Sequence, residues 1–279
     1  MSNPTGTHRQ ATARDSGPVE LSAAGITVGY GSRTIIDNLS TTIPTGSFTV
    51  IVGPNACGKS TLLKALSRML PTTTGQVRLG GEDITRLKPK QVARTLALLP
   101  QAPVAPEGII VEDLVARGRY PHQGTFHQWS QADQQAVDQA LHRANVWDLK
   151  DRFVHELSGG QRQRVWVALV LAQQTPVVLL DEPTTYLDIT HQVELLNLVQ
   201  QLQREGTTVV AVLHELMLAF RYATHLIVMK DGAIVAEGPV EDVVTAEVIG
   251  RVYNLDCRLI TDPTTGRPIV VPAPAVDQP

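Results

Sequence analysis

Val50-Ile51-Val52-Gly53-Pro54-Asn55-Ala56-Cys57-Gly58-Lys59-Ser60-Thr61 decides the fold of this chain. Ser47–Val52 has the length and apolar character of a short buried strand, and Thr61–Met69 has a helical pattern. Between them lies the spacing G-x-x-x-x-G-K-S. Strand, glycine loop and helix is the arrangement in which backbone N–H groups cradle phosphate, because a tight loop backed by a helix N-terminus carries fixed positive potential. Lys59 adds a mobile charge for the outer phosphates of a triphosphate, and Ser60 offers a hydroxyl to Mg²⁺. The alternative is an ordinary glycine turn before a helix. The preceding strand and the full spacing argue against it.

Two further stretches extend this reading. Val177-Val-Leu-Leu-Asp181-Glu182 is an apolar strand ending in two carboxylates. A buried strand tip is a rigid place for Asp181 to hold Mg²⁺, and Glu182 follows where it can polarise an attacking water. Alone, such an ending is explained equally well by solvation of the strand end. Leu157-Ser158-Gly159-Gly160-Gln161 opens a helix: Ser158 can cap it, and the glycines expose its first N–H groups, making a second anion site. Two phosphate-facing elements about a hundred residues apart in one chain suggest a nucleotide shared between two copies.

Around these motifs the chain reads as α/β. Ile26–Tyr30 and Arg33–Ile43 suggest an antiparallel meander. Residues 111–156 are helical in character, with segments Val111–Arg117 and Ser130–Asn145 and a capping box at Ser130 and Asp133. From Gly160 helix and strand alternate: a helix to about Gln174, then Val177–Asp181, Asp188–Glu205 and Thr207–Leu213. That order predicts a largely parallel sheet covered by helices.

Composition narrows the classes. The chain has 279 residues, 43% of them hydrophobic and 18% charged, which is globular rather than disordered composition. A net charge of −3 and a pI near 6.2 provide no basic field for nucleic acid. No apolar run reaches the ~18 residues of a membrane span, and residues 1–20 lack the apolar stretch of a secretory leader. Two cysteines, Cys57 and Cys257, cannot build a disulfide framework or a zinc site. Residues 1–18 and 262–279 are expected to be tails, the second rich in proline.

Together, GPNACGKST, LSGGQ and LLDEP resemble the ATP-binding cassette ATPases, the nucleotide-binding subunits of ABC transporters. The resemblance covers roughly residues 19–260. ARGRYPHQ at 116–123 and TTYLDITHQVELL at 184–196 are similar to the cassettes of ferric-siderophore importers, a group that also includes vitamin B12 and haem importers. It implies a P-loop NTPase fold with a RecA-like core, an antiparallel β subdomain and a helical subdomain at about 102–160, within an ATPase domain spanning 19–261. It also implies roles that local sequence does not. Tyr30 would stack on adenine. Gln101, otherwise a polar loop residue before Pro103, would reach Mg²⁺ and the attacking water. His214, otherwise a strand-end histidine, would contact the γ-phosphate. Asp188 would contact the second subunit, or serve only as a helix cap. Ala56 departs from the family, which usually has glycine there.

The implied activity is hydrolysis of ATP with Mg²⁺ at two composite sites of a homodimer. Each site would pair Lys59, Ser60, Asp181, Glu182, Gln101 and His214 of one copy with Ser158, Gly159, Gly160 and Gln161 of the other. The implied partners are two membrane-spanning permease subunits, with an extracytoplasmic binding protein in the same system but out of contact. The chain would lie peripherally on the cytoplasmic face of the cell membrane. A groove near Gln101 and residues 102–125 would receive a permease helix. A soluble, non-transport cassette is the alternative from another class. The long coiled-coil insertion of chromosome cassettes and the tandem repeat of translation cassettes are both missing from this sequence. A non-catalytic nucleotide-binding module is disfavoured by the presence of both Glu182 and His214.

Overall fold

The computed structural model describes residues 19–124 and 129–273. The expected N-terminal tail, 1–18, lies outside them. The strands are β1 (Leu21–Tyr30), β2 (Arg33–Ile43), β3 (Phe48–Val52), β4 (Thr74–Leu79), β5 (Glu82–Asp83), β6 (Leu96–Leu99), β7 (Val177–Asp181), β8 (Thr208–Val212), β9 (His225–Lys230), β10 (Ala233–Pro239), β11 (Cys257–Thr261) and β12 (Pro268–Pro272). The helices are α1 (Lys59–Leu66), α2 (Pro89–Thr95), α3 (Val111–Ala116), α4 (Gln131–Arg143), α5 (Gly159–Gln173), α6 (Ile189–Arg204), α7 (Leu216–Tyr222), α8 (Val240–Val243) and α9 (Ala246–Tyr253).

The main sheet runs β10-β9-β3-β8-β7-β6, and every pair in it except β10–β9 is parallel. Every residue of β3, β7 and β8 is buried. That is the mark of parallel strands covered on both faces. Alternation then divides the core in two. Phe48, Val50 and Val52 face one cluster, shared with α5 and the helical subdomain; Ile51 faces the other, shared with Leu62, Leu63 and the second sheet. The second sheet is antiparallel, β2-β1-β4-β5, and contains the expected meander.

The helical subdomain of α3 and α4 packs on α5 and is clipped there by Arg119. Its guanidinium meets Asp133 at 3.0 Å, Ala172 O at 2.8 Å and Gln174 Oε1 at 3.0 Å, and both charged side chains are buried. Asp133 is shared with the capping box of α4, accepting from the Ser130 hydroxyl at 2.6 Å. Burial pushes the Asp133 carboxyl up, but the Ser130 and Arg119 hydrogen bonds outweigh it and hold the group below the ordinary range.

Two expectations are revised. Helix α1 begins at Lys59, because Gly58 in the left-handed region (φ 105°) serves as its N-cap. It ends at Leu66, before Arg68 at φ 63°. The proline-rich stretch after Asp262 is not all tail, since Pro268–Pro272 pairs with Cys257–Thr261. Its prolines stand at the two ends of a strand in a two-stranded sheet, where a missing N–H is tolerated. Asp262 holds the connecting turn through Thr264 N and the Thr265 hydroxyl. Residues 274–279 lie outside the described part.

Candidate active site

Four parallel strands end on one rim, and each delivers part of the site. The phosphate loop leaves β3, Gln101 follows β6, Asp181 and Glu182 close β7, and His214 follows β8. Ligands of open parallel sheets bind at this carboxyl edge. The cavity there measures about 800 Å³, within the usual ligand range. Asn55, Ala56, Cys57, Gly58, Lys59, Ser60, Thr61, Gln101, Glu182 and His214 line it, together with Arg33 and Ile35.

The loop is pre-formed. Gly53 sits at φ 154°, and a Cβ there would stand 2.2 Å from Met229 O, so only glycine fits. Lys59 is buried, and its Nζ donates to Gly53 O at 2.9 Å and Pro54 O at 2.8 Å. An ammonium has three N–H donors, so one is left for phosphate. Gly232 N donates to Cys57 O at 3.0 Å, tying the loop to the β9–β10 turn. Cys57 is buried and its thiol is pushed up by that burial, which fits a small filler rather than a reactive group. Ala56 takes φ 61°, a left-handed setting that favours glycine, and so carries ~1–2 kcal/mol of strain.

Ser60 Oγ donates to Asp181 Oδ1 at 2.8 Å. The other oxygen, Asp181 Oδ2, is buried and has no partner. Burial pushes the Asp181 carboxyl up. The Ser60 bond opposes that shift and the neighbouring Glu182 charge adds to it. An orphaned carboxylate oxygen beside a hydroxyl is a hard-oxygen donor set, and it fits Mg²⁺.

Glu182 has both oxygens engaged. Gln101 Nε2 donates to Oε2 at 2.7 Å, and His214 Nε2 lies 2.7 Å from Oε1. An ionised carboxylate only accepts, so Nε2 of His214 carries the hydrogen of that bond. The backbone of Glu182 is at φ 52°, a strained setting of the kind that clusters at functional sites. Three residues that sequence placed far apart thus meet at one carboxylate.

Other expected residues stand outside the cavity lining. Gly53 and Pro54 act from behind, through Lys59. Tyr30 is half-exposed at the end of β1, opposite Arg33 across the hairpin. Ser158 caps α5 with a reciprocal box, accepting from Gln161 N at 3.2 Å while Gln161 Oε1 accepts from Ser158 N at 3.1 Å. Ser158 and Gly159 are exposed, and neither they nor Gly160 and Gln161 line the phosphate cavity of their own chain. Asp188 caps α6, accepting from His191 N at 3.0 Å, and is itself exposed.

Sequence reasoning missed Arg33 and Ile35. No alternation marks them, because β2 carries a bulge directly after the Tyr30 hairpin. It also missed Gln163, whose buried amide donates to Pro183 O at 3.0 Å and ties the signature helix to the loop that carries Glu182.

Residues 36–185 match the ABC transporter family model. The ferric enterobactin transport ATP-binding protein FepC of Escherichia coli (strain K12) is 52% identical over 248 residues, covering 88% of this chain and 92% of that protein. The chain belongs to the ABC transporter family, as an ATP-binding subunit. The probable siderophore transport system ATP-binding protein YusV of Bacillus subtilis (strain 168) is 49% identical, over 90% of this chain and 92% of that one. Among solved structures, an inward-facing metal-chelate type ABC transporter superposes with TM-score 0.78 at 26% identity, covering 92% of this chain and 98% of that chain. The cassette MJ0796, a dimer in a post-hydrolysis state bound to ADP and Pi, gives TM-score 0.70 at 25% identity, covering 78% of this chain and 98% of that one. The mixed sheet, antiparallel subdomain and helical subdomain are therefore those of an ABC cassette. Among the described residues no helix is long and apolar enough to cross a membrane.

Proposed function

We propose that this chain is the ATP-hydrolysing subunit of an importer that carries ferric siderophores across the cytoplasmic membrane. The observation that carries the chemistry is Glu182, held between Gln101 and His214 beside the Ser60–Asp181 pair. The cargo rests on siderophore relatives about half identical over nine-tenths of the chain.

ATP enters with its outer phosphates on the loop N–H groups and the third donor of Lys59. Ser60 and Asp181 would hold Mg²⁺, which when bound would supply neutralising positive charge to the phosphates. Gln101 leaves Glu182 for the phosphate end, which frees one carboxylate oxygen to accept the proton of the attacking water. His214 keeps its hold on the other oxygen and orients the carboxylate. Ser158 and Gly160 of a second copy close the γ-phosphate from the opposite side, so ATP bridges two chains and its hydrolysis releases them.

Gln101, Ala102 and Pro103 line a groove of about 220 Å³ against Gly159, Arg162, Gln163 and Trp166. A permease helix seated there would feel any movement of Gln101. Two permease subunits hold the chain peripherally on the cytoplasmic face, and an extracytoplasmic binding protein presents the cargo to them.

The test is uptake of radiolabelled ferric siderophores by a strain deleted for this chain. Complementation with wild type restores uptake, and complementation with Glu182→Gln does not. Undiminished uptake of several chelates in the deletion strain would remove the iron cargo and direct the same assay to vitamin B12 and haem.

A further inference from the structure

The β1–β2 hairpin brings to the nucleotide cavity two side chains that lie outside every motif. Along β2, Arg33 and Ile35 line the cavity, and Ile36 beside them is fully buried. Ile35 leans on the phosphate loop, its Cγ2 3.5 Å from where a Cβ on Gly58 would stand. Arg33 lies two residues back toward the hairpin end, across the bulge that leaves Ile35 unpaired between Thr34 and Ile36. Its cross-strand partner is Tyr30, and opposed residues share a face about 5 Å apart. From the helix N-terminus outward the wall therefore runs Gly58, Ile35, Arg33, Tyr30.

Among the described residues the Arg33 guanidinium has no hydrogen bond or ion pair. An unpaired cation on the wall of a polyanion site, with a planar fork of N–H donors, matches phosphate oxygens in shape and charge. Lys59, Ser60 and the helix end already serve the outer phosphates. A wall position beyond Ile35, toward the hairpin, faces the opposite end of the triphosphate chain. We propose that Arg33 is a nucleotide-binding residue that grips the α-phosphate of ATP. This rests on the nucleotide site described above.

The α-phosphate is common to ATP and ADP and changes little during γ-phosphoryl transfer. Arg33 therefore contributes uniform binding: its loss raises KM and leaves kcat alone. One charge-assisted contact at a half-open site is worth about tenfold in affinity.

The test titrates the full chain, as wild type, Arg33→Ala, Arg33→Lys and Lys59→Ala, with ATP, ADP and adenosine. The expected result for Arg33→Ala is about tenfold weaker binding of ATP and of ADP, unchanged adenosine binding, an unchanged melting temperature, and raised KM at constant kcat. Arg33→Lys recovers part of the loss, because it keeps the charge without the fork. Unchanged ATP affinity in Arg33→Ala, with wild type binding ATP and Lys59→Ala not, would overturn the Arg33 assignment alone. An equal loss for adenosine would place the side chain on the base and overturn the α-phosphate contact. Failure of wild type to bind ATP would take the nucleotide site and Arg33 down together.

Discussion

The phosphate loop and the signature loop both stand at a helix N-terminus, yet they are built in opposite ways. Residues 53–60 surround a buried lysine whose charge is held by two loop carbonyls, in a cavity walled by three other strand ends. Residues 158–161 cap their own helix, with Ser158 and Gly159 exposed and none of the four lining the phosphate cavity of their own chain. On the proposed reading the first is a receptor that holds its ligand alone, and the second is half of a receptor, completed by another chain. A single chain should therefore bind ATP and hydrolyse it poorly, and dimerisation should supply the missing donors.

The largest expected effect comes from disabling the receptor's chemistry while sparing its grip. Glu182→Gln should slow turnover by roughly 10²–10⁴, the usual worth of a general base, at unchanged ATP affinity. Near-normal steady-state turnover would remove Glu182 from that role. Gly159→Glu attacks the other half. Gly159 is exposed, and a Cβ there meets only Tyr186 Cβ at 3.6 Å, so the fold should tolerate the change. A carboxylate facing the second copy's γ-phosphate should lower turnover at least about tenfold through like-charge repulsion, with ATP binding by the single chain intact. Equal loss of binding and turnover would show that the signature acts within its own chain.

A third change loosens the clip between the two halves. Arg119→Ala leaves Asp133 as a buried, unpaired charge and should cost ~3–5 kcal/mol, read as a melting temperature lower by roughly 10 °C. The sign of the pH dependence follows from the depressed Asp133 carboxyl. Its stabilisation is fully present above the unfolded value of 3.8 and is lost as pH falls through the lower folded value. In Arg119→Ala that acid-side loss should shrink, as a pH series of melting curves would reveal. The smallest effect is expected from Ala56→Gly. Relief of left-handed strain and the added freedom of the unfolded chain nearly cancel, leaving ~1 kcal/mol or less. ATP affinity should stay within about twofold or tighten slightly, and a large loss in a binding titration would mean that the loop conformation is wrong.

The same contrast explains what could be read from the sequence. The phosphate loop was legible because its chemistry is local: a strand, fixed glycine spacing, Lys59 and a helix follow one another. Ser158 and Gln161 were legible as a cap for the same reason. Gln101 and His214 were not, since each is an ordinary polar residue after a strand until parallel pairing brings both to Glu182. Only resemblance to the family placed them. Arg33 and Ile35 stayed hidden because their role depends on which face of β2 meets the loop. The strand Pro268–Pro272 was hidden by its prolines, whose breaking effect does not apply at strand ends. Helix α1 began earlier than its apolar pattern, because a glycine N-cap rather than periodicity sets its start.

The most direct measurement is the solution mass of full-length Glu182→Gln, with and without ATP and Mg²⁺, beside the double variant Glu182→Gln/Gly159→Glu. The expected result is a dimer of Glu182→Gln only when ATP is present, and a monomer of the double variant that still binds ATP. An ATP-loaded Glu182→Gln that stays monomeric, beside a wild type whose turnover per chain is independent of protein concentration, would contradict the shared site.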